Sequence, residues 1–170
     1  MKKQFFTAIA ILAIIFSMAS CGNTYKAKAV TLKNQNDSLN YAFGMVNGGM
    51  TRERNQITDD LADKSVAMLM DALNKSLASK DDKEDKKENK GAMYNAGVHI
   101  GSSLKQMQKD GFLGMESLTV NLALIKQAFV NSLYEKTEGF EHIFAESYLN
   151  GTMQKLMEEK EAHQHSEIIE

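Results

Sequence analysis

Apolar residues recur along this chain at helical spacing in five separate runs, and strand-like alternation is missing between them. The first run, Leu39, Phe43, Val46 and Met50, predicts a helix from about Leu39 to Glu53 with Asp37 or Ser38 as its cap. The second, Ala62, Val66, Leu69, Leu73 and Leu77, predicts a helix starting near Thr58, where Asp59 and Asp60 suit the positive end of its dipole. Met93, Ala96, Ile100, Leu104 and Met107 mark a third helix from about Ala92 to Lys109. Gly111 and Gly114 then make a loop, and Leu118, Leu122, Ile125, Phe129 and Leu133 mark a fourth helix from about Glu116 to Glu135. After Gly139 a fifth helix carries Phe140, Ile143, Phe144, Tyr148 and Met153 or Leu156.

Two stretches of this pattern repeat. Tyr41-x2-Gly44-x3-Gly48 returns as Tyr94-x2-Gly97-x3-Gly101 at an offset of 53, and Ala72 to Leu77 returns as Ala128 to Leu133 at an offset of 56. The order is the same in both, so the mature chain reads as a duplication with three extra residues in the Gly111–Gly114 loop. The expected fold is all-α, with four to five helices in two related halves behind a signal peptide and a flexible tether. The expected boundaries are a signal peptide at 1–20, a lipidated tether at 21–37, a first helical repeat at 38–79, a charged linker at 80–91, a second repeat with a long last helix at 92–164, and a tail at 165–170.

Composition sharpens this picture. The 170 residues include no proline and no tryptophan, which suits helices joined by polar turns and argues against a sandwich or barrel. The formal charge is −2, becoming −4 without Lys2 and Lys3 (18 basic against 22 acidic residues). Such a balance leaves no footprint for nucleic acid. Lys80 to Lys90 holds five lysines, five acids and one asparagine, a solvated linker in character.

The amino terminus carries an address. Lys2 and Lys3 precede a run of 12 residues from Phe5 to Phe16, too short to span a bilayer but of the right length for an export signal. Ser17, Met18, Ala19 and Ser20 then lead to Cys21, the sole cysteine. Small residues before a single cysteine resemble a bacterial lipobox, with Met18 in place of the usual leucine, and imply acylation of Cys21 and stable anchoring. Residues 22–37 read as a tether reaching roughly 20–24 Å. Because Asn23, Thr24, Tyr25 and Lys26 follow the cysteine rather than a run of acids, the periplasmic face of the outer membrane is favoured.

Little catalytic chemistry is visible. Glycines inside helices are costly, so Gly44, Gly48, Gly97 and Gly101, each pair beside Tyr41 or Tyr94, read as close helix crossings rather than as a phosphate loop, which needs a preceding strand. His99 and His142 are isolated. Glu161, His163, His165 and Glu167 alternate, a spacing that shares no helix face, and no metal or other cofactor is expected. Met68, Met70, Met153 and Met157 read first as core filler and second as a pliable groove.

Ser38-Leu39-Asn40-Tyr41-Ala42-Phe43-Gly44, with Gly48 and then Asp71-Ala72-Leu73, resembles the helical N-terminal domain of periplasmic FKBP-type peptidyl-prolyl isomerases, including the macrophage infectivity potentiator group. The second copy matches through Tyr94, Gly97, Ile100, Gly101, Leu104, Lys105, Gln106, Ala128 and Leu133 and into the long last helix, so the likeness covers roughly residues 37–160. The resemblance implies dimerisation by intertwined helices and a hold on unfolded clients, with Phe140, Phe144 and Tyr148 as the candidate client surface. A chain with two copies can instead pair one copy with the other and stand as a monomer, although a missing third helix in copy one would leave an apolar face open. The family's catalysis resides in a separate β-domain with a tryptophan-floored pocket, and nothing here up to Glu170 matches it, so no catalytic residue is carried over. The expected function is that of a lipid-anchored, non-catalytic interaction module of the cell envelope, assisting folding or dimerisation. Its partners would be the membrane, unfolded or envelope proteins, and a homodimer mate. The alternatives are an accessory subunit of a separately encoded isomerase and a structural envelope lipoprotein.

Overall fold

A computed structural model describes residues 25–79, 91–115, 117–136 and 140–167. The expected export signal, Cys21 and the Lys80–Lys90 segment lie outside the described residues. Five helices are present: α1 (Gln35–Arg54), α2 (Asp59–Ala78), α3 (Ala92–Asp110), α4 (Leu122–Leu133) and α5 (His142–Glu167). Among the described residues there is no strand, only an isolated bridge between Phe112 and Met115. No described helix is long and apolar enough to cross a membrane.

The helices form a row in the order α3, α2, α4, α1, α5, each packed on the next. The strong pairs join the two copies. α1 of the first copy lies on α4 of the second, and α3 of the second lies on α2 of the first. Gly44 meets Ile125 and Ala128 while Gly48 meets Phe129 and Ser132, so α1 and α4 advance in the same sense. The α3–α2 pair repeats this arrangement at Leu69, Ala72, Leu73 and Ser76. The buried set is continuous through both pairs and includes Leu39, Met45, Leu69, Leu73, Leu104, Phe129 and Leu133.

Several elements depart from the periodicity. α1 starts at Gln35, a turn early, because Asn34 rather than Asp37 or Ser38 caps it, its side chain accepting from the Asp37 amide at 2.8 Å. α4 starts at Leu122, later than Glu116. The stretch before it is committed elsewhere: Asn36 and Asn40 of α1 bond the Thr119 carbonyl, and the Asn121 amide donates to Asn40 Oδ1 at 2.7 Å. Phe112, in a segment read as plain loop, is fully buried edge-on to Phe43 at 5.7 Å.

The free tether also needs correction. From Tyr25 to Lys33 the chain has no regular secondary structure but is bound to the body, with Tyr25, Val30 and Leu32 against the core. Asn131 anchors it, taking the Lys28 amide at 2.9 Å and donating to the Lys28 carbonyl at 2.8 Å. The buried face of α5 is Ala145, Leu149 and Met153 rather than the aromatic stripe, and Ile143 and Phe144 point outward. The tail is corrected as well, since α5 is helical through Glu167 and takes in residues 165–167.

Candidate interaction surface and helix crossings

At each crossing a glycine lets one backbone reach another. A Cβ on Gly44 would collide with the Ile125 carbonyl and stand 2.7 Å from Ala128 Cβ, and one on Gly97 would collide with the Leu69 carbonyl and stand 2.8 Å from Ala72 Cβ. On Gly48 it would stand 2.7 Å from the Phe129 carbonyl, and on Gly101 2.7 Å from that of Leu73. A serine seals each crossing with a bond to the neighbouring backbone. Ser132 donates to the Met45 carbonyl at 2.7 Å and Ser76 to that of Val98 at 3.1 Å. These positions correspond at the offsets of 56 and 53, so two symmetric junctions are built from the duplicated residues. The tyrosines differ. Tyr41 is buried and accepts from Asn131 at 2.9 Å, whereas Tyr94 is half-buried and accepts from Lys75 at 3.4 Å.

The copies diverge where only one has a third helix. α5 covers the α1 face that includes Ala42 and Val46, both buried, and His142 packs beneath Gly49 with Nε2 3.2 Å from the Val46 carbonyl. The equivalent positions of α3 are Asn95, His99 and Ser102, all exposed. The uncovered face lies on the second copy and is polar at these three places, whereas α1 of the first copy, where an open apolar face was expected, is covered by α5. His99 therefore sits at the surface and His142 at a packed boundary.

α1, α2 and α4 meet at Arg52. Its guanidinium donates to Asp59 and Glu135 at 2.9 Å each and to the Leu133 carbonyl at 2.6 Å, capping the end of α4. A cleft of about 550 Å³ lies beside it, lined by Gly49, Glu53, Ile57 and His142 among others. Arg52 is already matched by two carboxylates, so the cleft lacks an unspent positive charge with which to hold an anion. Tyr134, on the rim of α4, donates to Asp63 at 2.7 Å. Burial and that carboxylate push its hydroxyl up to about 12. Burial lowers the pKa of Lys126, which donates to Asn74 across the α2–α4 boundary.

The residues read as a client surface form a ring cluster at the start of α5. Phe140 stands edge-on to Tyr41 at 5.6 Å, Phe144 at 5.1 Å and Tyr148 at 5.8 Å. Phe140 and Tyr148 are thus half-buried and fasten α5 to α1. Only Phe144, 53% exposed, and its neighbour Ile143, 81% exposed, face outward. Ile143 was read as part of a buried stripe, and its place beside an outward ring is what the periodicity missed. Of the four methionines considered, Met70 and Met153 are buried while Met68 and Met157 are exposed.

The arrangement defines a duplicated all-α protein whose two halves exchange helix partners within one chain. No family model matches this chain, and comparison with curated proteins and with solved structures also returns no match.

Proposed function

We propose that this is a lipid-anchored, non-catalytic interaction module of the bacterial envelope, holding partly unfolded or envelope proteins near the membrane. The leader and Cys21 support the anchor. The exposed pair at the foot of α5 carries the interaction half of the reading: Ile143 and Phe144 stand outward on rings that Phe140 and Tyr148 already lock in place. Presenting apolar area on a rigid base costs little side-chain entropy when another chain docks.

The proposal excludes isomerase turnover. Rotation about an X–Pro bond must cross a barrier of about 18–20 kcal/mol. Lowering it needs an enclosed site that stabilises a twisted amide, and the Arg52 cleft is open and charged on its rim.

The test uses the purified protein with an aggregating unfolded client and, separately, a proline-containing peptide. The expected outcome is modest suppression of aggregation, lost in Ile143→Asp/Phe144→Asp with the helical spectrum and a single cooperative unfolding transition retained, and with no acceleration of isomerisation. Suppression that survives the double substitution would overturn the assignment of the surface. Turnover on the peptide would overturn the non-enzymatic reading.

A further inference from the structure

The strap from Tyr25 to Lys33 decides how much freedom an anchor at Cys21 leaves the body. Its first residue is tied down, the Tyr25 hydroxyl donating to Asp71 at 2.9 Å and accepting from Asn74 at 3.0 Å, both on α2. Gln127 of α4 then bonds the Lys26 carbonyl at 3.0 Å, and Asn131 holds Lys28 on both sides. Asp71 and Gln127 are equivalent positions of the two copies, so the strap crosses the seam between the central helices. Four residue steps separate Cys21 from Tyr25, a span of at most roughly 14 Å. That is little more than the width of one helix.

Charge points the same way. Between Gly22 and Asn36 the chain carries Lys26, Lys28 and Lys33 and no acid, although the mature chain is net acidic. All three lysines are exposed. Asp71, engaged with Tyr25, lies at the edge of this face. On α2 the strap side (Asp71 and Asn74) is opposite the side that receives α3 (Leu69, Ala72, Leu73 and Ser76). The polar α3 face around His99 is therefore the far side of the row.

We propose that the strap-bearing face of α2 and α4 is a membrane-apposed surface, with Lys26, Lys28 and Lys33 against anionic headgroups. Resting on the anchoring reading, the inference adds an orientation: a leash too short for free rotation turns the basic side to the bilayer and the α3 side away from it. Attraction between such lysines and anionic lipid acts within a Debye length of the surface, which the leash enforces.

The test reconstitutes the acylated full chain in phosphatidylethanolamine–phosphatidylglycerol vesicles doped with nitroxide-headgroup lipid. A fluorophore is placed at Ala123→Cys, exposed one turn from Gln127, or at His99→Cys, two helix layers away. Helix layers are 8–10 Å apart, so quenching at 123 should exceed that at 99 at least about threefold. Lys26→Gln/Lys28→Gln/Lys33→Gln should bring the two values together. Equal quenching in the acylated parent overturns the orientation, and a ratio unmoved by the triple variant overturns the role of the lysines. Mass analysis of the Cys21 peptide is read separately: an unmodified thiol defeats the anchoring reading itself, whatever the ratio.

Discussion

Replacing Gly44 or Gly97 by alanine sets two opposing effects against each other, and the structure decides which wins. Alanine is the better helix former by about 0.8–1.0 kcal/mol. Against that, the new methyl would stand 2.7 Å from Ala128 Cβ at position 44 and 2.8 Å from Ala72 Cβ at position 97, besides meeting a carbonyl oxygen in each case. Ordinary carbon contacts lie near 3.5–4.0 Å, so the helices must part by roughly 1 Å. Overpacking of this kind costs about 1–3 kcal/mol. It also stretches the serine bonds at the two crossings. The net expectation is destabilisation of about 1 kcal/mol at each site, a fall of about 2–4 °C in midpoint for a chain of this size. The two sites share no partner, so the double variant should show the sum. Gly151 is the control, because it lies within α5 with nothing within 4 Å of its would-be Cβ. Gly151→Ala should raise the midpoint by nearly the full propensity gain. Thermal unfolding followed by circular dichroism reads all four proteins. If Gly44→Ala and Gly97→Ala rise together with Gly151→Ala, the crossings are not close and the reasoning is wrong.

Gln56 ends α1 with φ of +51°, its amide bonding the Glu53 carbonyl and that of Ile57 the Arg52 carbonyl. Gln56→Gly should relieve the left-handed strain and stabilise the protein by about 1 kcal/mol, read from the urea midpoint. Asn131→Ala removes the bonds of that side chain to the Lys28 amide and carbonyl and to the Tyr41 hydroxyl, which should cost about 1–3 kcal/mol and raise hydrogen exchange at Lys28. Tyr134 is held protonated by the fold, up to about 12. Its contribution to stability is therefore complete below the free-tyrosine pKa of about 10 and is lost as pH rises toward 12. A Tyr134→Phe variant should lack that alkaline decline in unfolding midpoint. Finally, Cys21→Ser should abolish acyl labelling and release the protein from membranes, and persistent labelling would refute the anchor.

The helices were legible from their apolar stripes, best in α2, where Ala62, Val66, Leu69 and Leu73 are buried as expected, and less well in α3, where only Leu104 of the stripe is buried and Met93, Ala96, Ile100 and Met107 are half-buried. The glycines told where crossings would lie but not against what. A missing side chain signals close approach and carries no information about its partner, so the pairing of one copy with the other, expected on the resemblance, could not be read from the glycines themselves. α5 misled because only part of the apolar pattern faces the body: Phe140, Tyr148 and Met153 do, while Ile143 and Phe144 point outward. Ala145 is fully buried with no sequence signal at all. The strap was illegible for a different reason. Its short apolar set of Tyr25, Val30 and Leu32 has no helical or strand period, and it is held by Asn131 and Gln127, about a hundred positions away, through backbone groups common to every sequence.

The exchange of partners also sets an order of assembly. As the chain is made, α1 emerges first, yet the helix that receives it is α4, some 80 residues later. The α2–α3 pair is nearer in sequence and closes a shorter loop, so it is the natural nucleus. Until α4 and then α5 arrive, Leu39, Met45 and Val46 lack the helices that cover them in the folded protein. Neither half holds both members of a strong helix pair between the copies. A fragment ending between α2 and α3 would contain two helices whose partners are both missing, and slow closure of the long loop, rather than helix formation, would govern how fast the native protein appears.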